Sequence, residues 1–112
     1  MPTFDFTKVW ESLKDEIIQL AKTNFSQQDL QAALDDGKKF LDNNKNKLEQ
    51  YLTQLNNHEI DEAEFKDLVG GLKALAQMTA LHQAGVQAAK IQKFTTRAID
   101  LLIGAAFKSI PI

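Results

Sequence analysis

The sequence contains no cysteine, and its only two prolines are Pro2 and Pro111. Without cysteine, the chain has no disulfide, no thiolate nucleophile and no cysteine-ligated zinc site. Because no proline lies between residues 3 and 110, no helix in this range is broken by proline. Glycine is scarce as well, with five among 112 residues. These absences favour long helices and exclude several classes of catalyst.

Long hydrophobic runs are also missing. No window approaches the roughly 18 consecutive apolar residues that a transmembrane helix requires. The first residues, MPTFDFTKVWE, lack the basic segment and apolar core of a secretory signal. We therefore expect a cytoplasmic protein, with export that needs no disulfide as the alternative.

The charge balance is mildly acidic, with a formal net charge of −2. Residues 1–67 carry 8 basic and 14 acidic side chains, whereas residues 68–112 carry 5 and 1. We expect the two halves to pack together and to neutralise each other. No nucleic-acid motif accompanies the basic residues, so no nucleic-acid partner is expected.

Apolar residues recur at helical spacing along most of the chain. Alternating steps of four and three from Phe6 to Leu20 predict a first helix over about 7–23, and Ile18 widens its buried apolar face. Ser26, with Asp29 three residues later, predicts a second helix over 27–56. The alternative is a break at Gly37, because Asp-Gly is a turn signal.

A third helix is predicted to begin after the turn NNHEI. Asp61 and Glu64 have the spacing of a capping box. The helical pattern runs over 62–91 and then either continues or breaks before residue 108. A single helix to Lys108 would be about 70 Å long, against about 45 Å for the second helix.

The candidate breaks in this last region are Gly85 and the pair Thr95 and Thr96. The elements together predict an all-α fold in one domain, 1–112. We expect a helical bundle built on a long antiparallel hairpin with coiled-coil-like packing. It has three long helices, with a short fourth C-terminal helix as a variant. The C-terminal segment either folds back or docks on a neighbouring subunit.

The second helix carries a leucine seam, in which leucine recurs every seven residues at Leu34, Leu41, Leu48 and Leu55. Gly37 and Asn44 occupy the same line. A seam of this length is enough for coiled-coil packing, and a buried Asn specifies register or partner. The seam is interpreted as the core line of a bundle, with an intermolecular zipper as the alternative.

Small residues at steps of four form an alanine ladder at Ala76, Ala80, Ala84 and Ala88, with Gly85 beside it. Small residues at this spacing let a second helix approach closely. The alternative is that alanine is present for its helix propensity alone.

The C-terminal segment AIDLLIGAAFKSIPI is apolar nearly all round a helix. Such a helix has to be buried on every side or has to contact a partner. Ile99, Leu102, Ile103 and Phe107 are therefore candidate interface residues. The alternatives are a central core helix and a membrane contact.

Lys90, Lys93 and Arg97 share one helix face and form a candidate anion contact. The alternative is a solvated face, or pairing with Asp29, Asp35 and Asp36. His58 and His82 belong to no metal or catalytic motif, so neither a cofactor nor an enzyme is expected.

The sequence thus predicts a non-catalytic assembly protein that self-associates through the alanine ladder and the C-terminal helix. Its partner would be a second copy or another helical protein. One alternative is a membrane-active helical protein, either a small pore former or a peripheral lipid binder. The other is an inhibitor or immunity-type protein that binds one partner through acidic residues such as Asp35, Asp36 and Asp42. The biological process and a choice between a closed oligomer and a filament do not follow from the sequence.

Overall fold

Residues 5–109 are described by the computed structural model, apart from the side chains of residues 74, 75 and 109. They form helices and no strand. The five α-helices are α1 (Phe6–Asn24), α2 (Gln27–Asn56), α3 (Glu62–Gly71), α4 (Thr79–Gln83) and α5 (Ala88–Ser109). A 3₁₀ turn, Leu72–Leu75, follows α3 directly. The predicted all-α helical bundle is confirmed.

The first two helices lie close to their predicted bounds. Asp5 begins α1 as a side-chain cap, because its Oδ1 accepts the N–H of Thr7 at 3.0 Å. Ser26 is the N-cap of α2, although its side chain makes no capping hydrogen bond. The alternative of a break at Gly37 is wrong, since α2 is continuous for 30 residues.

Helices α1 and α2 run antiparallel. Near the start of α1, the Lys45 ammonium lies 5.2 Å from the centre of the Trp10 ring. Further along, a Cβ atom added at Gly37 would lie only 2.8 Å from Cγ2 of Ile17. Residue numbers therefore fall along α2 as they rise along α1, which the two-residue connection requires.

Helix α1 lies between the two other long helices and makes its most extensive contacts with α5 and α2. Phe25, just after α1, packs edge-on against Phe94 of α5, with ring centres 5.0 Å apart. Helices α3 and α4 cover the remaining side of α2 and α5. The largest fully buried side chains come from all five helices: Phe65, Phe94, Leu13, Leu48, Leu52, Leu81, Leu102 and Val69.

The predicted capping box at the start of α3 is confirmed. Asp61 Oδ1 accepts the N–H of Glu64 at 2.8 Å, and the N–H of Asp61 donates to Glu64 Oε1 at 3.2 Å. Both hydrogen bonds satisfy N–H groups that the first helical turn leaves without a partner.

The predicted continuous helix over 62–91 is wrong, because the chain leaves helical geometry twice in that range. Met78 has φ of 46°, which a right-handed helix does not accommodate, and Gly85 has φ of 83°. The Gly85 break was among the candidates. The Thr95 and Thr96 break is absent, since the Thr95 hydroxyl donates to the Ile91 carbonyl at 3.0 Å inside an unbroken α5. The predicted hairpin therefore lacks its long second arm.

Candidate interaction surfaces

The alanine ladder does not form one helix face. Ala76 follows the 3₁₀ turn, Ala80 lies in α4, Ala84 ends α4, and Ala88 begins α5. Ala84 and Ala88 are exposed, whereas Ala76 and Ala80 are half-buried. Because the chain turns between these alanines, their regular spacing of four residues does not place them on one face. The premise of a continuous small-residue face is wrong.

Some small residues nevertheless meet at another place, in a groove between α3 and α5. This α3–α5 groove has a volume of about 710 Å³ and includes Ala76, Ala88 and Ala89 from the later part of the chain. Gly70 and Gly71 line its other side, and no atom lies within 4 Å of a Cβ added at either. Packing inside the chain therefore does not require glycine there.

The C-terminal segment is covered by the chain itself. Ile99 and Leu102 are buried, so the prediction that these two residues form an intermolecular interface is wrong. Ile103 and Phe107 are half-buried. The Phe107 ring lies 5.9 Å from that of Phe65 in α3. Folding back of α5 on α1 and α3 satisfies the requirement that this apolar helix be covered.

The leucine seam is the core line of α2. Leu41, Leu48 and Leu55 are buried, and Leu34 is half-buried. Asn44 donates through Nδ2 to the carbonyl of Phe40 at 2.8 Å, so its amide is satisfied within its own helix. The seam thus serves the fold of one chain.

The basic residues of α5 are exposed, and two of them, Lys90 and Arg97, contact the end of α1. The Lys90 ammonium lies 5.1 Å from the centre of the Phe25 ring. Arg97 donates from Nη1 to Oδ1 of Asn24. Lys93 is exposed on the same helix. A cation next to the carbonyl end of α1 is favoured by the helix dipole, which gives Lys90 and Arg97 a structural role.

The alternative predicted for the basic face of α5 is ion pairing with Asp29, Asp35 and Asp36. Across residues 5–109 the ion pair present is Lys14 with Glu11, at 3.4 Å. That pair lies within α1 and is largely solvated. The expected pairing with the three aspartates is therefore wrong.

Asp36 is buried, with 2% of its surface exposed, and it caps α4 from a different helix. Its Oδ1 accepts the N–H of Ala80 at 3.0 Å, and its Oδ2 accepts the N–H of Leu81 at 2.7 Å. Met78, the N-cap residue of α4, supplies no side-chain bond of its own. Asp36 is therefore not part of an acidic binding surface, as the inhibitor hypothesis required. Asp35 and Asp42 remain exposed.

The two histidines lie in different elements of the fold. Both are exposed, and His58 lies in the turn before α3 while His82 lies in α4. Within the described part of the chain, no group of three His, Asp or Glu side chains is placed to hold a metal ion. Nor is any helix there long and apolar enough to cross a bilayer.

A second groove, between α1 and α2, combines an apolar floor with a charged rim. This α1–α2 groove has a volume of about 460 Å³. Its floor is formed by Ile17, Ile18, Leu34 and Leu41. Ile18 is 38% exposed, which makes it one of two large apolar side chains left open to solvent among the described residues. The other is Leu68 on α3, at 37%.

The rim of the α1–α2 groove is divided by sign between the two helices. Helix α1 contributes Lys14 and Lys22. Helix α2 contributes Asp35 and Asp42, with Lys38 one helical turn from both. Gln31 completes the lining and donates to Asp35 Oδ1 at 3.0 Å.

Sequence reasoning missed this groove because Ile18 was assigned to the buried face of the first helix. A signal was present in the spacing of Lys14, Ile18 and Lys22, each four residues from the next. A lysine one turn before and one turn after an isoleucine indicates a position at the edge of the apolar face. The matching row on α2 became visible only once the two helices were paired.

Comparison of the chain with models of known protein families, with curated proteins and with solved structures gives no match. The function proposed below therefore depends on the geometry of these surfaces.

Proposed function

We propose that the protein is a non-catalytic helical interaction protein and that it binds a helical partner in the α1–α2 groove. The supporting observation is Ile18, a large apolar side chain that is exposed in the apolar floor of the groove and surrounded by charged residues. An apolar centre within a polar rim is the usual anatomy of a protein–protein interface. The exposed edge of two packed helices also suits an amphipathic helix laid along it.

The buried polar residues support a non-catalytic role. Asp36, Asn44 and Thr95 are the buried polar side chains of the described region, and each is engaged with backbone groups. A catalytic side chain usually needs access to a substrate and a perturbed environment. The proposal includes a cytoplasmic location and no cofactor.

Site-specific cross-linking at Ile18 tests this function. Because the chain has no cysteine, Ile18→Cys introduces a single thiol for a photoactivatable cross-linker. Illumination in the native cell is expected to give a defined protein adduct. Leu68→Cys is the matched control, since Leu68 is equally exposed but lies on α3.

The two variants have to behave differently. An adduct at position 18 that disappears when Lys22→Glu is added supports binding in the groove. Equal labelling at positions 18 and 68, or no adduct at either, contradicts the proposal. Far-ultraviolet circular dichroism checks that both variants keep the helical fold.

A second candidate function is peripheral binding to an anionic membrane through the outer face of α5. The observation favouring it is that Lys93, Arg97 and Lys108 are exposed on a helix that also leaves Ile103 and Phe107 half-exposed. Basic residues near apolar ones attract anionic headgroups. Flotation with vesicles containing about 30% anionic lipid tests it, with neutral vesicles as the control. Recovery in the protein-only fraction with both would exclude this function.

A further inference from the structure

We infer that the partner in the α1–α2 groove is a second copy of the chain. The two copies are related by a twofold axis parallel to the groove, so that α1 of each copy lies over α2 of the other. This inference rests on the proposed function and adds the identity of the partner and the geometry of the complex.

Charge on the groove rim is separated by helix. On the groove rim, α1 presents the cations Lys14 and Lys22, whereas α2 presents the anions Asp35 and Asp42. A ligand of one sign would be attracted by one helix and repelled by the other. A surface with the same pattern, turned so that the helices exchange places, is attracted by both.

The register between α1 and α2 brings these opposite charges to similar levels along the groove. Ile17 and Gly37 are level, because a Cβ at Gly37 would contact Ile17. Lys14 is three residues before Ile17 on α1, so in the antiparallel pair it is level with residue 40 of α2. It therefore lies two residues from the level of Asp42. The same count puts Lys22 three residues from the level of Asp35. At 1.5 Å per residue these axial offsets are about 3 Å and about 4.5 Å, which a lysine side chain spans.

A twofold axis along the groove converts this register into contacts. Rotation about this axis keeps each residue at the same position along the groove and places α1 of one copy opposite α2 of the other. Lys14 then faces the partner's Asp42, and Lys22 faces the partner's Asp35. Each pair occurs twice, as an isologous interface requires. The two Ile18 side chains lie between these pairs and lose their exposed apolar surface.

The other simple orientation is disfavoured by charge. An axis across the groove would place α1 on α1, so that lysines face lysines and aspartates face aspartates. Like charges brought together across an interface oppose association. Lys38 is the one cation on the α2 side, and it lies one helical turn from Asp35 and Asp42 of its own chain, which favours solvation beside them.

The size of the surface sets the expected strength. Nineteen residues of α1 extend about 28 Å, and two helices span roughly 20 Å, giving a face of about 550 Å² per copy. Stable complexes typically bury about 800 Å² per partner. We therefore expect a reversible dimer with a dissociation constant in the micromolar range. Salt is expected to weaken the dimer, because it screens the charge pairs.

Charge reversal on one helix at a time tests the geometry. The first variant combines Lys14→Asp with Lys22→Asp, and the second combines Asp35→Lys with Asp42→Lys. Each variant alone places like charges opposite each other at all four pairs. Sedimentation equilibrium is expected to show at least about a tenfold rise in the dissociation constant of each.

Mixing the two variants restores opposite charges at every pair. An equimolar mixture is therefore expected to form a heterodimer with an affinity within about threefold of the natural chain. Ile18→Glu is expected to abolish the dimer, and Leu68→Glu, its matched control, to leave it intact. Circular dichroism confirms the fold of each variant.

The outcomes separate this inference from the function on which it rests. If the natural chain dimerises but the mixed variants do not form a heterodimer, the twofold geometry is wrong. If the pure chain stays monomeric at about 100 μM, far above the expected constant, self-association is wrong. In that case an adduct to a different protein at position 18 would still support the interaction function.

Discussion

Helix α2 is continuous, whereas the region from residue 62 to 109 is broken into shorter helices. This is the reverse of what their helix propensities predict. Helix α2 contains Gly37 and the polar run DNNKNK, yet it is unbroken over 30 residues. The later region is rich in alanine, the best helix former, yet it breaks into α3, α4 and α5. Local propensity therefore does not decide where helices end in this protein.

The difference is explained by contacts between helices. Gly37 gives space to Ile17 of α1 and lies near the tip of the Phe94 side chain, so an intrinsically weak helix position lets α1 and α2 approach each other closely. Asp36, beside it, binds the first N–H groups of α4. The two residues that weaken α2 locally thus organise its neighbours, and one of them holds the break in the later region.

The largest expected effect is that of Asp36→Ala. The change leaves the N–H groups of Ala80 and Leu81 without their acceptor, one of them buried. Each buried unsatisfied group costs about 1–3 kcal/mol, so we expect a loss of about 3 kcal/mol in the free energy of unfolding. Urea denaturation measures it.

Asp35→Ala is the matched control, because Asp35 is exposed on the same helix. We expect a change within about 0.5 kcal/mol. Equal effects of the two substitutions would show that Asp36 does not hold α4.

Gly37→Ala is expected to destabilise the protein although alanine favours helix. The added Cβ would lie 2.8 Å from Cγ2 of Ile17, which is buried and has little room to move. Overpacking of this kind typically costs about 1–3 kcal/mol and outweighs a propensity gain of about 1 kcal/mol. Thermal unfolding measures the net change, and a higher melting temperature would refute the close approach.

Gly85→Ala tests the second break in the later region. Gly85 has φ of 83°, a left-handed conformation in which an L side chain is strained. We expect a loss of about 1 kcal/mol. Gly85→Asn, which tolerates this conformation better, is expected to lose less. Identical stability for both substitutions would mean that backbone strain is not the cause.

The smallest effect has the opposite sign. Gly104 lies inside α5, and no atom lies within 4 Å of an added Cβ. Gly104→Ala is therefore expected to stabilise the protein by about 0.5–1 kcal/mol through helix propensity. A loss of stability would show that α5 packs more tightly there than the structure indicates, and would remove the contrast with Gly37.

The parts of the fold that sequence predicted are those governed by neighbouring residues. The bounds of α1 and α2, the capping box at Asp61 and the break at Gly85 all depend on side chains within a few positions. The break at Met78 could not be predicted in this way. Its left-handed backbone precedes a helix that is capped by Asp36, which is more than 40 residues away along the chain.

The candidate site shows the same limit. The covering of the C-terminal helix was predictable, because its apolar residues leave no face for water. Which helix covers it, and therefore which apolar residue remains exposed, depends on the pairing of α1 with both α2 and α5. Ile18 was assigned to the core from its spacing, and only the position of α2 beside it shows that it lies at the edge.

The capping of α4 by a residue of α2 also bears on the order of folding. A five-residue helix does not persist alone, since its first turn costs more conformational entropy than its few hydrogen bonds return. Formation of α4 therefore has to wait until the chain around residue 36 has already become ordered. The amide protons of Ala80 and Leu81 should then exchange with solvent at a rate set by the detachment of this segment from α2. In isotope-exchange measurements, these two protons would report how often this segment leaves and rejoins α2.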